Sequence, residues 1–355
     1  MSLSLPQFGK PLRVEAPPAQ PNGVRPTHLV DSYGRQIRDL RLSLTDRCNF
    51  RCTYCMDPDV RFRRRTELLT EAEMLRLARI FAGFGVDRIR LTGGEPTLYP
   101  TLPELITELS TLGMRDIAMT TNGSLATEAD LTAWHNAGLH RLSVSLDTLR
   151  PERFTALTRA TSTPERVIET VRLAKRVGMH PVKINAVVIR GLNDDELADF
   201  ARLARELAVE IRFIEFMPLD SGRRWGREAV VSADEMLEQI EAVFPLRDTS
   251  RERTCSPAQR FAFADGTPGG IGVIASVTRP FCNACSRIRI TADGKLMPCL
   301  FSTAEWDLRA IMREGGSDDD LASTIVEATL AKQAGHTIAS PHYQQPDRPM
   351  SAIGG

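Results

Sequence analysis

The chain has 355 residues, 42% apolar and 25% charged, and its 45 basic and 45 acidic side chains cancel. That balance points to a globular protein with ample core; it excludes disorder, a disulfide miniprotein and a dedicated nucleic-acid or membrane-surface binder. No uncharged run exceeds 14 residues, short of the ~20 apolar residues of a spanning helix.

Residues 1–36 hold seven prolines and glycines before Val24, show no periodicity and lack the apolar core of a secretory signal. A flexible extension on a cytoplasmic protein is expected. From Leu40, short apolar or β-branched runs recur at 40–45, 87–92, 116–120, 140–146, 182–189 and 211–216. Segments with helical spacing separate them at 71–84, 102–112, 127–137, 164–178 and 194–208. Thr70 and Glu73 form a capping box at the first of these. The alternation predicts an α/β fold over residues 37–230, either a parallel sheet or an open six-stranded (β/α)6 partial barrel, two strands short of a closed one. It ends after Met217 in the loop PLDSGRRWG. A C-terminal region over 231–355 starts with a helix at 232–243 and turns irregular and glycine-rich. It adds helices at 304–314 and 318–333 and finishes in Gly354-Gly355.

Seven cysteines without an export signal argue against a disulfide framework. Cys48, Cys52 and Cys55 form CxxxCxxC directly after the first expected strand, on the face where parallel α/β folds build active sites. Three thiolates can each hold one iron of a cubane and leave the fourth iron open. A zinc site would need a fourth ligand, and no histidine lies near to supply it. Cys282, Cys285 and Cys299 form a second group, CxxC and a third cysteine after 13 residues. Arg287 and Arg289 share one face of the strand expected after Cys285. Asp293-Gly294 marks a hairpin that returns Cys299 to the pair. Cys255 stands alone in a polar stretch and is expected to ligate nothing. Gly270–Ala275 fits GxGxxA but neither follows a strand nor opens a helix, so it is no dinucleotide loop. GxxxxGK[ST] is absent, so a bound nucleotide is not held by a P-loop.

CNFRCTYC, with TGGEP at 92–96 after the second strand, resembles the signature of the radical S-adenosylmethionine enzymes. TTNG at 120–123, SLD at 145–147, the distal cysteines with RIR and the terminal Gly-Gly narrow the likeness over residues 38–355. They resemble the GTP 3',8-cyclases of molybdenum cofactor biosynthesis. The resemblance implies a radical SAM core with a C-terminal iron–sulfur lobe, two [4Fe–4S] clusters and S-adenosylmethionine. It implies hydrogen removal from C3′ of GTP, attack of that carbon on C8, and release of 5′-deoxyadenosine and methionine. Metal ligands would be Cys48, Cys52, Cys55 and Cys282, Cys285, Cys299. Tyr54, Gly94, Ser145 and Met217 would contact S-adenosylmethionine. Arg41, Arg90, Thr121, Lys183, Arg287 and Arg289 would bind GTP, and Gly354 and Gly355 would act in catalysis. Implied partners are GTP, cyclic pyranopterin monophosphate synthase downstream, an electron donor such as flavodoxin or ferredoxin, and a second copy in a homodimer; nucleic acid and membrane are not implied.

The residues support the basic set independently. Arg41, Arg90 and Lys183 interrupt apolar strands, where a charge is costly unless paired. They are expected to face the lumen and an anion, or else a lumen carboxylate such as Glu215. A radical peptide maturase and a zinc-stabilised nucleic-acid module are the rival readings. The maturase would carry more C-terminal cysteines and need no basic lumen; the module would carry a basic surplus and more than 6% aromatics.

Overall fold

In the computed structural model the described residues are 26–250, 257–338, 340 and 343–354. Each of the six expected strands forms: β1 Asp39–Ser43, β2 Arg88–Thr92, β3 Asp116–Thr121, β4 Arg141–Ser145, β5 Val182–Val188 and β6 Glu210–Glu215. They pair in parallel and in sequence order, in a sheet that does not close. Helices α1 Glu71–Gly83, α2 Leu102–Thr111, α3 Glu128–Ala137, α5 Pro164–Arg176 and α6 Leu197–Leu207 connect them. Thr70 accepts from the Glu73 amide and Glu73 from the Thr70 amide, the expected capping box. The sequence reading missed α4, Pro151–Thr158, a short helix begun by proline.

The apolar residues of each strand face the helices. Leu40, Leu42, Ile89, Leu91, Leu142, Val144 and Ile184 are buried there, while the alternate residues point into the lumen. This period of two is why a charge every second residue inside apolar strands produces a charged interior.

The region after residue 230 begins as expected, with α7 Ala233–Glu241. It then adds strands that the glycine-rich sequence concealed. β7 Leu246–Asp248, β8 Gln259–Phe263 and β9 Gly270–Ile274 extend the sheet beyond β6, with β9 parallel to it. β10 Arg287–Ile290, β11 Lys295–Met297 and β12 Trp306–Asp307 extend it beyond β1, with β10 parallel to β1. The glycine motif at 270–275 is thus a strand. A Cβ on Gly272 would lie 3.1 Å from Arg212 Cγ, so the strand passes close to that side chain. The last helices are α8 Leu308–Arg313, α9 Asp318–Leu330 and α10 Met350–Ile353. A small second core of Leu219, Met297, Phe301, Ile338 and Ile353 forms beside the main one.

Residues 1–25 of the expected extension and Cys255 lie outside the described residues. From Leu29 the chain is packed: Val30 bridges Gln36, and Arg35 is buried against Asp31 at 2.6 Å. No helix among the described residues is long and apolar enough to cross a membrane.

Candidate active site

A cavity of about 1120 Å³ fills the lumen, and all six clustered cysteines line it as free, half-buried thiols. The first group follows β1. Cys282 and Cys285 immediately precede β10, which runs parallel to β1. The two groups therefore stand at opposite ends of the strands, about 15 Å apart for a five-residue strand.

At the first end, α4 carries the cysteine loop. Arg51 N donates to Thr158 O at 2.8 Å and Thr53 N to Leu157 O at 3.0 Å. Gly93 and Gly94 let the second strand's loop lie against residues 44–47. Gly94 N reaches Thr45 O at 2.7 Å, and a Cβ on Gly94 would come within 2.7 Å of Asp46 O. Gly93 has φ +135°, a conformation open to glycine. Glu95 is buried and accepts from Thr121 Oγ1 at 2.6 Å and Asn122 N at 2.7 Å. Tyr54 donates to Asp147 at 2.5 Å, and Asp147 also accepts from Val187 N at 2.8 Å. Gly94, Ser145 and Met217 line the same end. Burial pushes the Cys48 thiol up to about 11 and Cys55 to about 12, and lifts Cys52 well above its usual value. Burial likewise raises Asp147 to about 6.

The second end is built by the β10–β11 hairpin. Met297 pairs with Arg289, so the chain returns and sets Cys299 beside Cys282 and Cys285, as the Asp293-Gly294 turn led one to expect. Here the surroundings are basic. Lys332 is buried and donates to Arg287 O at 2.7 Å and to Pro298 O. Arg35 donates to Cys282 O at 2.8 Å and Ala334 O at 2.7 Å, and Gln333 Nε2 lies 3.5 Å from Cys299 Sγ. Burial raises the Cys285 thiol, yet Arg287 and Lys332 outweigh it and bring it down to about 6.

Each donor set offers three thiols to one cavity, which fits an iron–sulfur cluster. Thiols lifted by burial become good ligands only when a metal displaces their protons.

Between the ends lies a rung of cations, because strand register sets Arg289 opposite Arg41 and Arg41 opposite Arg90. Burial first, and then Arg289, Arg287 and Arg90, drives Arg41 well below its usual value; burial and then Arg287 bring Arg289 to about 10. Burial, then Arg141 and Arg212, brings Arg90 to about 10. Arg90 donates to two hydroxyls, Thr120 at 3.2 Å and Ser143 at 3.3 Å. Lys183 falls to about 7 through burial and Arg212, although Glu210 lies 3.1 Å away. The carboxylate that pairs with Lys183 is therefore Glu210, shared with Arg212 and Arg260. Glu215 does not fill that part. It accepts from the Ala233, Val277 and Thr278 amides at 2.7–3.0 Å and ties the sheet to the C-terminal region.

Thr121 stands apart from the cations, at the first end beside Glu95. Gly354 is buried, and its carbonyl accepts from Arg289 at 2.7 Å. A Cβ there would lie 2.5 Å from Thr92 Oγ1 and against Ser43 Oγ, at φ +71°. Gly355 is outside the described residues. The residues missed in the sequence are Asp147, Glu95, Arg212, Lys332 and Arg35. Arg212 carried the signal that found Arg41, a charge at an alternating position of an apolar strand; Lys332 and Arg35 act across long separations and carried none.

Residues 42–204 match the Radical SAM superfamily and residues 209–338 match Molybdenum Cofactor Synthesis C. The GTP 3',8-cyclase of Streptomyces coelicolor is 46% identical, covering 92% of this chain and 96% of that protein. The one of Rhodopirellula baltica is 45% identical, over 94% of each. Among solved structures, Streptococcus suis SuiB bound to precursor peptide SuiA aligns with a TM-score of 0.60 at 16% identity, over 88% of this chain and 74% of that one. Native anSMEcpe with bound AdoMet aligns with a TM-score of 0.52 at 14% identity, over 80% and 82%. At such identities these two show the fold alone.

Proposed function

The chain belongs to the GTP 3',8-cyclases of the radical S-adenosylmethionine superfamily, and on that premise we infer what its lumen does. It is a lyase that converts GTP to (8S)-3',8-cyclo-7,8-dihydroguanosine 5'-triphosphate, the first step of molybdenum cofactor biosynthesis. It uses S-adenosylmethionine and an iron–sulfur cluster, which together supply the radical that opens the reaction.

The chain's own residues arrange the reactants. Cys48, Cys52 and Cys55 would hold the cluster that serves S-adenosylmethionine, with Tyr54, Gly94, Ser145 and Met217 lining its place. Asp147 and Glu95 put carboxylates at this end, which suits a sulfonium cation. Cys282, Cys285 and Cys299 would hold a second [4Fe–4S] cluster in the C-terminal region, with GTP reaching from it toward the lumen. Arg41, Arg90, Lys183, Arg287 and Arg289 would bind the triphosphate, whose charge relieves their crowding. Thr121 would touch GTP only where it extends to the first end. Gly354, whose carbonyl Arg289 holds, and Gly355 would act in the reaction at the GTP end of the pocket. Holding C3′ against the adenosyl carbon is the protein's main contribution.

The observation that carries this reading is a rung of cations short of carboxylates between two free-thiol triads in one cavity. Family likeness further supports a cytoplasmic homodimer that is reduced by flavodoxin or ferredoxin and feeds cyclic pyranopterin monophosphate synthase. The test is anaerobic, reconstituted protein with GTP, S-adenosylmethionine and dithionite. Cyclised nucleotide, 5′-deoxyadenosine and methionine should appear together by mass spectrometry. Adenosylmethionine cleavage that never yields a GTP-derived product would refute the assignment.

A further inference from the structure

The segment that carries the first cysteine group is strongly basic in a chain whose charges cancel. Residues 47–65 contain six arginines and two aspartates. Arg47, Arg61, Arg63, Arg64 and Arg65 are exposed. Asp293 lies 3.2 Å from Arg63, and Glu67 lies 3.1 Å from Arg64. Among the described residues no carboxylate stands within ion-pairing distance of Arg47, Arg61 or Arg65.

This basic loop is fastened to the cysteine loop. The guanidiniums of Arg51 and Arg47 lie over the Phe62 ring, at 4.8 and 5.8 Å from its centre. Arg63 N donates to Asp46 at 2.6 Å, and Arg51 reaches back to Cys48 O at 2.7 Å. A cationic outer face and the thiols of Cys48, Cys52 and Cys55 thus belong to one braced unit.

We propose that this face, formed by Arg47 and residues 61–65, docks an acidic protein that delivers single electrons at low potential. The proposal rests on the function inferred above, whose chemistry begins with one electron entering at this end of the lumen. In that step the donor is oxidised by one electron and the group on the first cysteines is reduced by one; no bond is made or broken. A cationic surface on which Arg47, Arg61 and Arg65 have no carboxylate partner among the described residues suits such a partner. It accelerates encounter with an acidic carrier by ten- to a thousandfold without requiring a tight complex, so the spent donor leaves quickly. The brace through Phe62 and Arg51 keeps the docking face close to the cysteines, where electron transfer needs it.

The test uses reconstituted holoenzyme and the variant Arg61→Glu/Arg64→Glu/Arg65→Glu, with a purified acidic flavodoxin as probe. Two quantities are read at low ionic strength: the Kd for flavodoxin, and the 5′-deoxyadenosine rate driven either by reduced flavodoxin or by dithionite. The variant should bind flavodoxin about tenfold or more weaker and slow comparably with it, and the difference should close as salt rises to about 0.5 M. Its dithionite-driven rate should equal that of the parent. Arg61→Lys/Arg64→Lys/Arg65→Lys should bind like the parent, because charge and not guanidinium shape does the steering. Unchanged affinity and flavodoxin-driven rate in the glutamate variant would overturn the proposal. So would loss of its dithionite-driven rate, which would put these arginines in the catalytic machinery. Failure of the parent enzyme to cleave adenosylmethionine with dithionite would instead count against the inferred function.

Discussion

The two cysteine triads present the same three donors to the same cavity in opposite electrostatic settings. At the first end burial dominates, neighbouring thiols and Asp147 add to it, and Cys55 rises to about 12. At the second end burial still raises Cys282, but at Cys285 Arg287 and Lys332 overcome it and the thiol falls to about 6. Ligand identity therefore does not set the character of either site; the charges packed behind it do. Carboxylates at the first end suit a cationic cosubstrate, and cations at the second suit an anionic one.

The largest effect should follow from removing a cysteine at the first end. Cys52→Ala should abolish 5′-deoxyadenosine formation while leaving GTP affinity within about twofold, because the two ends bind separately. Equilibrium dialysis with GTP checks the second half, and equal loss of both would erase the distinction between the ends. Next comes the tail. Gly354→Ala would force a Cβ against Thr92 and Ser43 at a positive φ. It should leave adenosylmethionine cleavage largely intact but cut cyclised nucleotide by an order of magnitude or more. Retention of the full product rate would return the tail to a passive role.

The cation rung should show an intermediate effect. Arg289→Ala or Arg41→Ala should weaken GTP by roughly ten- to a hundredfold, each removing a charge-assisted contact of about 1.5–3 kcal/mol, and should weaken guanosine far less. Equal losses for both ligands would contradict a triphosphate clamp. The smallest effect is pH dependence. Lys183, lowered to about 7, is charged below that value and neutral above it. Its contribution to GTP binding should therefore fade between about pH 6 and 8, and Lys183→Arg should flatten the profile. A wild-type profile already flat would mean the lysine stays charged beside Glu210.

The parts legible in the sequence were those governed by local periodicity. Six strands and their helices were readable because alternate apolar residues and caps such as Thr70 act within a few positions. The cation rung was readable for the same reason: Arg41 and Arg90 break an apolar alternation. β9 was not, because Gly270 and Gly272, the second of them close against Arg212, interrupt its apolar alternation and glycine carries no period. Nor was the basic setting of the second triad, since Arg35 reaches Cys282 across 247 residues. The identity of the lumen carboxylate was likewise undecidable. Glu210 and Glu215 bound the same strand, and only the packing of α7 and the Val277–Thr278 turn makes one a backbone clasp.

The central claim is that one lumen holds two chemically distinct ends. It is tested most directly by Cys282→Ala/Cys285→Ala/Cys299→Ala, compared with the parent for iron content, GTP affinity and product. Iron should fall from about eight to about four atoms per chain. Dithionite should still drive 5′-deoxyadenosine formation, while GTP binds weakly and no cyclised nucleotide forms. A variant that kept all its iron, or that still made the cyclised nucleotide at the parent rate, would contradict the account.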